Sequence, residues 1–365
     1  MSQTGTHDLQ DLLNWDNTTA EQYGYDRLNE VINRELAAVN AVVNEQMALF
    51  AEDTTDREAG APTGGSPRMV KVDPDYGRSR TQKGSAAAKR GFPLHSLEYA
   101  AGFTTMYLRM ATPADMARVV LNARTAYVGA LRDGLMTAFF TPTNYTFIDY
   151  VTPDKMPVDV KAIANGDGET PPITTTGKRF TGTHNHFNWS NGLTETATDD
   201  LVKDVTEHYE GNRVVVYINS GNEAAWRALT GFAPYMPGNV ITPTTQLVAA
   251  GALDITQTDD RPIGVLPNGA VVHTKPWVPL DYAVAINTNA ARPLKRRLHR
   301  VAAFRGLFLH GTNAALPLQA DAFQAYFGFG ASERYSAAVL YYATGASGYV
   351  TPVFRDFADD EGSDA

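Results

Sequence analysis

Cysteine is absent from this 365-residue chain. That excludes disulfides, thiolate nucleophiles and every zinc pattern built on a thiolate, so stability has to come from burial or from association. No run approaches the roughly 20 consecutive apolar residues that a membrane-crossing helix needs, and no membrane contact is expected. A strong positive charge is also missing. The 31 Lys and Arg against 40 Asp and Glu leave a net charge of -9, which argues against a surface built throughout to hold nucleic acid. The amino terminus, "MSQTGTHDLQDLLNWDN", has no positive region followed by an apolar stretch, so no secretory signal is expected. Catalytic signatures are missing too: there is no Gly-x-Ser-x-Gly, no Walker loop, no Gly-x-Gly-x-x-Gly after a strand and no His-Glu-x-x-His. "GDGETPP" lacks the alternating ligands of an EF-hand loop. An enzyme is not expected, and neither is a cofactor.

What is present describes a globular protein, with 43% hydrophobic and 19% charged residues. The length suits one large domain or two to three smaller ones. Charge is unevenly spread. Residues 68–90, "RMVKVDPDYGRSRTQKGSAAAKR", and 292–300, "RPLKRRLHR", are basic, while the end, "RDFADDEGSDA", is acidic. Basic surfaces on an acidic protein suit anion binding or contacts between copies of the chain, with plain solvated faces as the alternative.

Periodicity organises the chain. Leu28, Ile32, Leu36, Val39, Val43 and Phe50 recur at three- and four-residue steps and make one apolar stripe on a long helix. Nothing earlier in the chain can cover it, so it must dock on a later part of the chain or on a neighbour. Residues 54–92 then turn to glycine, proline, serine and charge, which in a compact domain reads as a projecting arm or a linker. "RMVKVD" suits one side of a long hairpin, with "PLHSLEYAAGF" as its return. Thr112, Pro113 and Asp115 form a capping-box start, and the segment to Phe140 predicts a helix of about seven turns with Met116, Val120, Tyr127, Leu131 and Leu135 on one face. Beyond it, "NYTFIDYVT" and "PVDVKAIAN" read as strands. "DDLVKDVTEHYEG" reads as a short helix with His208 near its end and Gly211 as its cap. The buried strand "NRVVVYINSG" and a helix from "NEAAWRALTGF" complete an α/β unit, and more strands follow to "ERYSAAVLYYATG".

The stretch most like chemistry is "GTHNHFNWSNG", residues 182–192. The contiguous His184-Asn185-His186 carries no weight for an HNH nuclease, whose three residues are dispersed over a ββα unit. On a strand the two histidines would face the same way, and a shared metal would need a third ligand such as Asp199, Asp200 or His208. No spacing selects among these, so no metal is assigned. The expected role is ordinary hydrogen bonding that orients a surface strand or a subunit contact.

The order of elements resembles the Hong Kong 97 fold of tailed-phage major capsid proteins. The segments "GVLPNGAVVHTKPWVP" and "AYFGFGASERYSAAVLYYATGASGYVTPVF", the latter with Arg334 after an acid, are similar to the segment leaving that family's axial domain and to its closing segment. The resemblance implies an α+β fold: an N-terminal helical arm (1–58), an extended loop (59–110), a spine helix and peripheral domain (111–195), an α/β axial domain (196–295), and return strands of the peripheral domain with an acidic tail (296–365). It implies a structural protein that self-assembles into hexamers and pentamers, forming an icosahedral shell around double-stranded DNA held by non-specific phosphate contact. Scaffolding and portal proteins are the implied partners, with a decoration protein as an optional one. Only about fifty residues precede the loop, which suits a separate scaffolding protein. The place implied is the virion capsid, assembled in the host cytoplasm. Subunit contacts would fall on Leu28, Ile32, Leu36, Val39 and Val43 of the arm and on Arg78, Arg80, Lys83, Lys89 and Arg90 of the loop. The alternatives are a metal-dependent hydrolase using His184 and His186, and an encapsulin-like cellular shell.

Overall fold

Thr112 opens the longest helix, Pro113–Phe140, by the reciprocal bonds its sequence predicts. Its hydroxyl accepts from the Asp115 backbone N–H at 3.2 Å, and the Asp115 carboxylate accepts from the Thr112 N–H at 3.0 Å. The chain is seen in a computed structural model that describes residues 8–15, 17–62, 87–104, 110–152, 154–174, 177–235, 260–310 and 318–353. Ala117, Val120, Ala123, Tyr127, Leu131, Leu135 and Phe139 are buried along one side of this spine helix, and Met116 sits partly buried at the edge.

The arm helix, Tyr25–Met47, lays its stripe into the same core. Leu28, Ile32, Leu36, Val39 and Val43 are each less than a tenth exposed within this one chain. This corrects the expectation that neighbouring subunits cover the stripe. The spine helix brings its own apolar face alongside, and the two faces satisfy each other. Asn40 locks the helix to a distant turn, donating to the Leu307 carbonyl at 2.9 Å and accepting from the Leu307 N–H at 2.8 Å.

A five-stranded sheet supports the spine helix. Ala51–Thr54 pairs in parallel with Leu294–Leu298, which runs antiparallel to the long strand Leu318–Ala331; His95–Thr104 and Phe308–His310 also pair with that strand. The aromatic-glycine run "FGFGA" lies here. Phe327 and Phe329 are buried in the core, while a Cβ at Gly328 or Gly330 would come within 2.4 Å of the Pro93 carbonyl or 2.6 Å of the Gly91 carbonyl. These glycines let another backbone cross the sheet.

The loop departs and returns through a short hairpin, with Glu58–Pro62 antiparallel to Ala87–Gly91. "RMVKVD", with Arg78, Arg80 and Lys83, lies outside the described residues. The expected return arm is different: His95–Thr104 pairs with Leu318–Ala331. Leu97 and Tyr99 give that strand an apolar face that packs on the main core, which a projecting arm does not offer.

The second sheet has seven strands, in the order Phe187–Trp189, Ala337–Tyr341, Tyr282–Asn287, Val214–Ile218, Val271–Thr274, Pro262–Val265, Ala233–Pro234. Its central strands are apolar throughout because both faces are buried. Tyr217, Val284, Ile286 and Val339 face the core shared with the two long helices, while Val216, Ala285 and Leu340 face a second core beneath the helix Glu195–Thr206 and Trp226. Two expectations shift. Ala337–Tyr341, assigned from sequence to the return strands, belongs to this α/β sheet. The helix begins earlier, at a Thr194 cap, and ends at Thr206, so His208 lies just beyond it. Glu207 is the C-cap, and Gly211 turns left-handed (φ 69°) four residues later.

Within the spine helix, a Cβ at Gly134 would meet the Phe329 ring at 3.0 Å, whereas one at Gly129 meets nothing within 4 Å. Gly134→Val should lower stability by about 1–3 kcal/mol through overpacking. Gly129→Ala should raise it by about 0.5–1 kcal/mol through helix propensity. Urea unfolding midpoints of the two variants would check the opposite signs.

Candidate functional site

Two clusters of polar side chains are buried where the closing segment meets the rest of the chain. The first is built around Arg334, which is 1% exposed. Its Nε donates to the Ala162 carbonyl at 2.6 Å; Nη1 donates to Glu169 at 2.6 Å and Asp167 at 3.2 Å; Nη2 donates to Asn165 at 2.7 Å. Glu169 also accepts from Arg90 at 2.6 Å. Asp167 further accepts from Asn144 at 2.6 Å and Lys161 at 3.1 Å. Burial raises the Asp167 carboxyl, but the Arg334 charge and these hydrogen bonds outweigh it and hold the group well below the usual carboxylate range.

The second cluster answers the question raised by "GTHNHFNWSNG". His186 precedes the edge strand Phe187–Trp189, and its main chain is tied on both sides: its N–H donates to the Ala164 carbonyl at 2.8 Å and its carbonyl accepts from Val339 at 2.9 Å. His184 lies two residues back on the same side, as an extended backbone requires. His208 follows the helix Glu195–Thr206. The three Nε2 atoms converge: His184 to His186 is 3.0 Å, His184 to His208 is 2.9 Å and His186 to His208 is 3.2 Å. Glu207 places Oε1 at 3.1 Å from the His184 Nε2, and Lys178 pairs with its other oxygen. All four ligand atoms lie within 4.8 Å of one another. Phe180 covers the outside, with ring centroids 4.8 Å from His184 and 4.2 Å from His208, and Tyr335 lies 5.0 Å from His208.

Burial drives all three imidazoles toward the neutral form. It pushes His186 down to about 3 and His208 to about 2, and it lowers His184 as well. His186 is fully buried, so the expectation of histidines orienting a surface strand does not hold for it. Of the third ligands weighed from sequence, the structure brings in His208. Asp199 instead accepts from Asn268, and Asp200 is exposed. Glu207 was missed; its signal is the Glu-His pair just after a helix, beside a histidine already under consideration.

Among the described residues, several basic side chains of the basic stretches are paired inside the chain. Arg296, 1% exposed, is bidentate to Asp53 at 2.7 and 2.8 Å, and Arg297 pairs with the buried Asp149 at 2.7 Å. Arg296 and Arg297 are therefore spent on internal pairs, while Arg300 is exposed. Arg90 is likewise buried, against Glu169 and the Ser332 carbonyl, which corrects its assignment to a subunit contact. Lys89, 80% exposed beside Glu58, remains open to a partner.

No protein-family model matches the chain, and a search of curated proteins finds no match. Solved structures do match. A chain from Mycobacterium phage Patience aligns over 96% of both chains at 18% identity, with a TM-score of 0.66. The cyanophage A-1(L) capsid asymmetric unit aligns over 82% of this chain and 93% of that one, at 9% identity and a TM-score of 0.47. The holo-SrpI encapsulin complex of Synechococcus elongatus PCC 7942 aligns over 85% of this chain and 90% of that one, at 10% identity and a TM-score of 0.44. The α+β fold is Hong Kong 97-like, as the order of elements in the sequence implies, and it is shared with the Patience chain along almost the whole length of both.

Arg334→Met should cost about 3–5 kcal/mol, because it removes the buried guanidinium from Glu169 and Asp167, which keep only Arg90 and Lys161. A depressed folded-state pKa means Asp167 contributes stability above its unfolded value of about 3.9, lost as pH falls. Asp167→Asn should therefore flatten the fall in stability below about pH 4. Urea midpoints at neutral pH and across the acid range would read both effects.

Proposed function

We propose that this chain is a major capsid protein of a tailed bacteriophage, assembling as hexamers and pentamers into an icosahedral shell around double-stranded DNA. The observation that carries the reading is the fold shared with the Patience chain over 96% of both lengths, together with an element order that resembles the capsid family. The five-stranded sheet and spine helix act as the peripheral domain. The seven-stranded sheet, with Ala337–Tyr341 included, acts as the axial domain. The hairpin stem Glu58–Pro62 with Ala87–Gly91 is the root of the extended loop, and the residues between its strands reach a neighbouring subunit.

Contacts between subunits then fall on the loop, including Arg78, Arg80, Lys83 and exposed Lys89, and on the apolar residues the body leaves uncovered. Met110, Tyr150 and Leu280 are each more than half exposed and belong to neither core. Attraction between the basic loop and an acidic body weakens in salt. DNA inside the shell is met only through phosphates. A separate scaffolding protein and a portal complete the particle, with a decoration protein as an optional addition, and it assembles in the host cytoplasm.

Electron microscopy of the purified chain, alone and with crowding agent, should show closed shells or capsomers. A small monomer under every condition would refute the reading. Replacing residues 65–84 with a two-residue turn keeps the hairpin stem and the buried Arg90, so the subunit should fold yet fail to close shells. Normal shells from that variant would show that the loop is not the contact.

A further inference from the structure

We propose that His184, His186 and His208, with Glu207, form a zinc site that clamps the segment before the edge strand Phe187–Trp189 to the turn after the helix Glu195–Thr206. This inference is independent of the shell reading.

The proton arithmetic of the cluster is the starting point. A neutral imidazole nitrogen carries either a hydrogen or a lone pair. The Nδ1 of His186 lies 2.7 Å from the Ala337 carbonyl, which only accepts, so Nδ1 carries the hydrogen and Nε2 presents a lone pair to the cluster. Suppose His184 and His208 both carried a hydrogen on Nε2: the two N–H groups would then oppose each other at 2.9 Å. Suppose only one did: the other would face His186 lone pair to lone pair, at 3.0 or 3.2 Å. Two states shared among three mutually adjacent atoms always leave one pair alike. No tautomer satisfies the trio, whereas one cation accepting three lone pairs does.

The geometry and surroundings agree. Four-coordinate zinc with Zn–N distances of about 2.0–2.1 Å sets its ligands about 3.3 Å apart. The three nitrogen separations fall short of that edge by a few tenths of an ångström. The Ala337 carbonyl on His186 Nδ1 is the outer partner that fixes the tautomer of a metal-binding histidine. Lys178 engages one oxygen of Glu207 and leaves Oε1 toward the histidines. Nδ1 of His208 has no hydrogen-bond partner among the described residues, so packing by Phe180 and Tyr335 holds that ring. Imidazoles with a single carboxylate select zinc or a neighbouring late transition metal over magnesium or calcium. Glu207 Oε1, 3.1 Å from the His184 Nε2 and 3.8 Å from the His208 Nε2, has to move inward to supply the fourth ligand, and four protein ligands mark a structural ion rather than a catalytic one. The ion would join the segment from Gly177 to His186, the turn after the helix Glu195–Thr206 and, through His186, the strand Ala337–Tyr341.

The test uses the full chain carrying no histidine tag. After stripping with EDTA and dialysis against Zn2+, elemental analysis should find one zinc per chain, and the thermal midpoint should rise with Zn2+ and fall again with EDTA. His184→Gln and His208→Gln should each weaken zinc binding at least 100-fold, while His310→Gln, on the exposed end of the strand Phe308–His310, should bind as the parent does. X-ray absorption of the zinc-loaded parent should show three imidazoles, which keeps the proposal testable if a variant fails to fold. Substoichiometric zinc in the parent, full zinc retained by either cluster variant, or a spectrum with one imidazole or none would overturn it. Shell assembly is scored separately, so a metal-free chain that builds shells would sink the zinc site and leave the capsid reading standing.

Discussion

The guanidinium of Arg334 is a charge that cannot be buried unless every donor finds a partner. It is fully enclosed, and its partners come from a single segment, residues 162–169, that would otherwise be an irregular loop. That one requirement shapes much of the molecule. It folds residues 162–169 against the closing segment and places Ala164 to pair with His186. Through Glu169 it also draws in Arg90 at the root of the loop. The edge strand at Phe187, the loop hairpin and the strand Ala337–Tyr341 are thereby brought to one place. Losing Arg334 is costly, because the carboxylates it joins then share only Arg90 and Lys161.

Two hydrophobic cores flank the seven-stranded sheet, and this explains why its central strands carry no polar alternation. The first core spans both sheets and both long helices, so the arm helix is an integral part of the body. The arm is thus docked within a single chain.

Much of the fold was legible because its signals are local. The capping box at Thr112 and Asp115, the 3.6-residue stripes and the apolar runs of the central strands each depend on near neighbours in the chain. Charge was misleading for the opposite reason. "RPLKRRLHR" looks like a basic patch, but Arg296 and Arg297 lie on a strand whose neighbours offer Asp53 and Asp149, more than a hundred residues away. The same holds for Arg90, whose carboxylate partner is Glu169.

By itself the sequence determined the helices, the order of elements and, through that order, the likeness to a capsid architecture. It also marked "GTHNHFNWSNG" as a place where two histidines share a side. Only the tertiary structure decided that His208 and Glu207 join them, that the arm's stripe is covered from within, and that the basic strand is spent on internal pairs. The physical reason is common to all three. Side-chain periodicity is written in adjacent residues, whereas the meeting of lone pairs, charges and apolar faces depends on which distant segments the packed cores bring together.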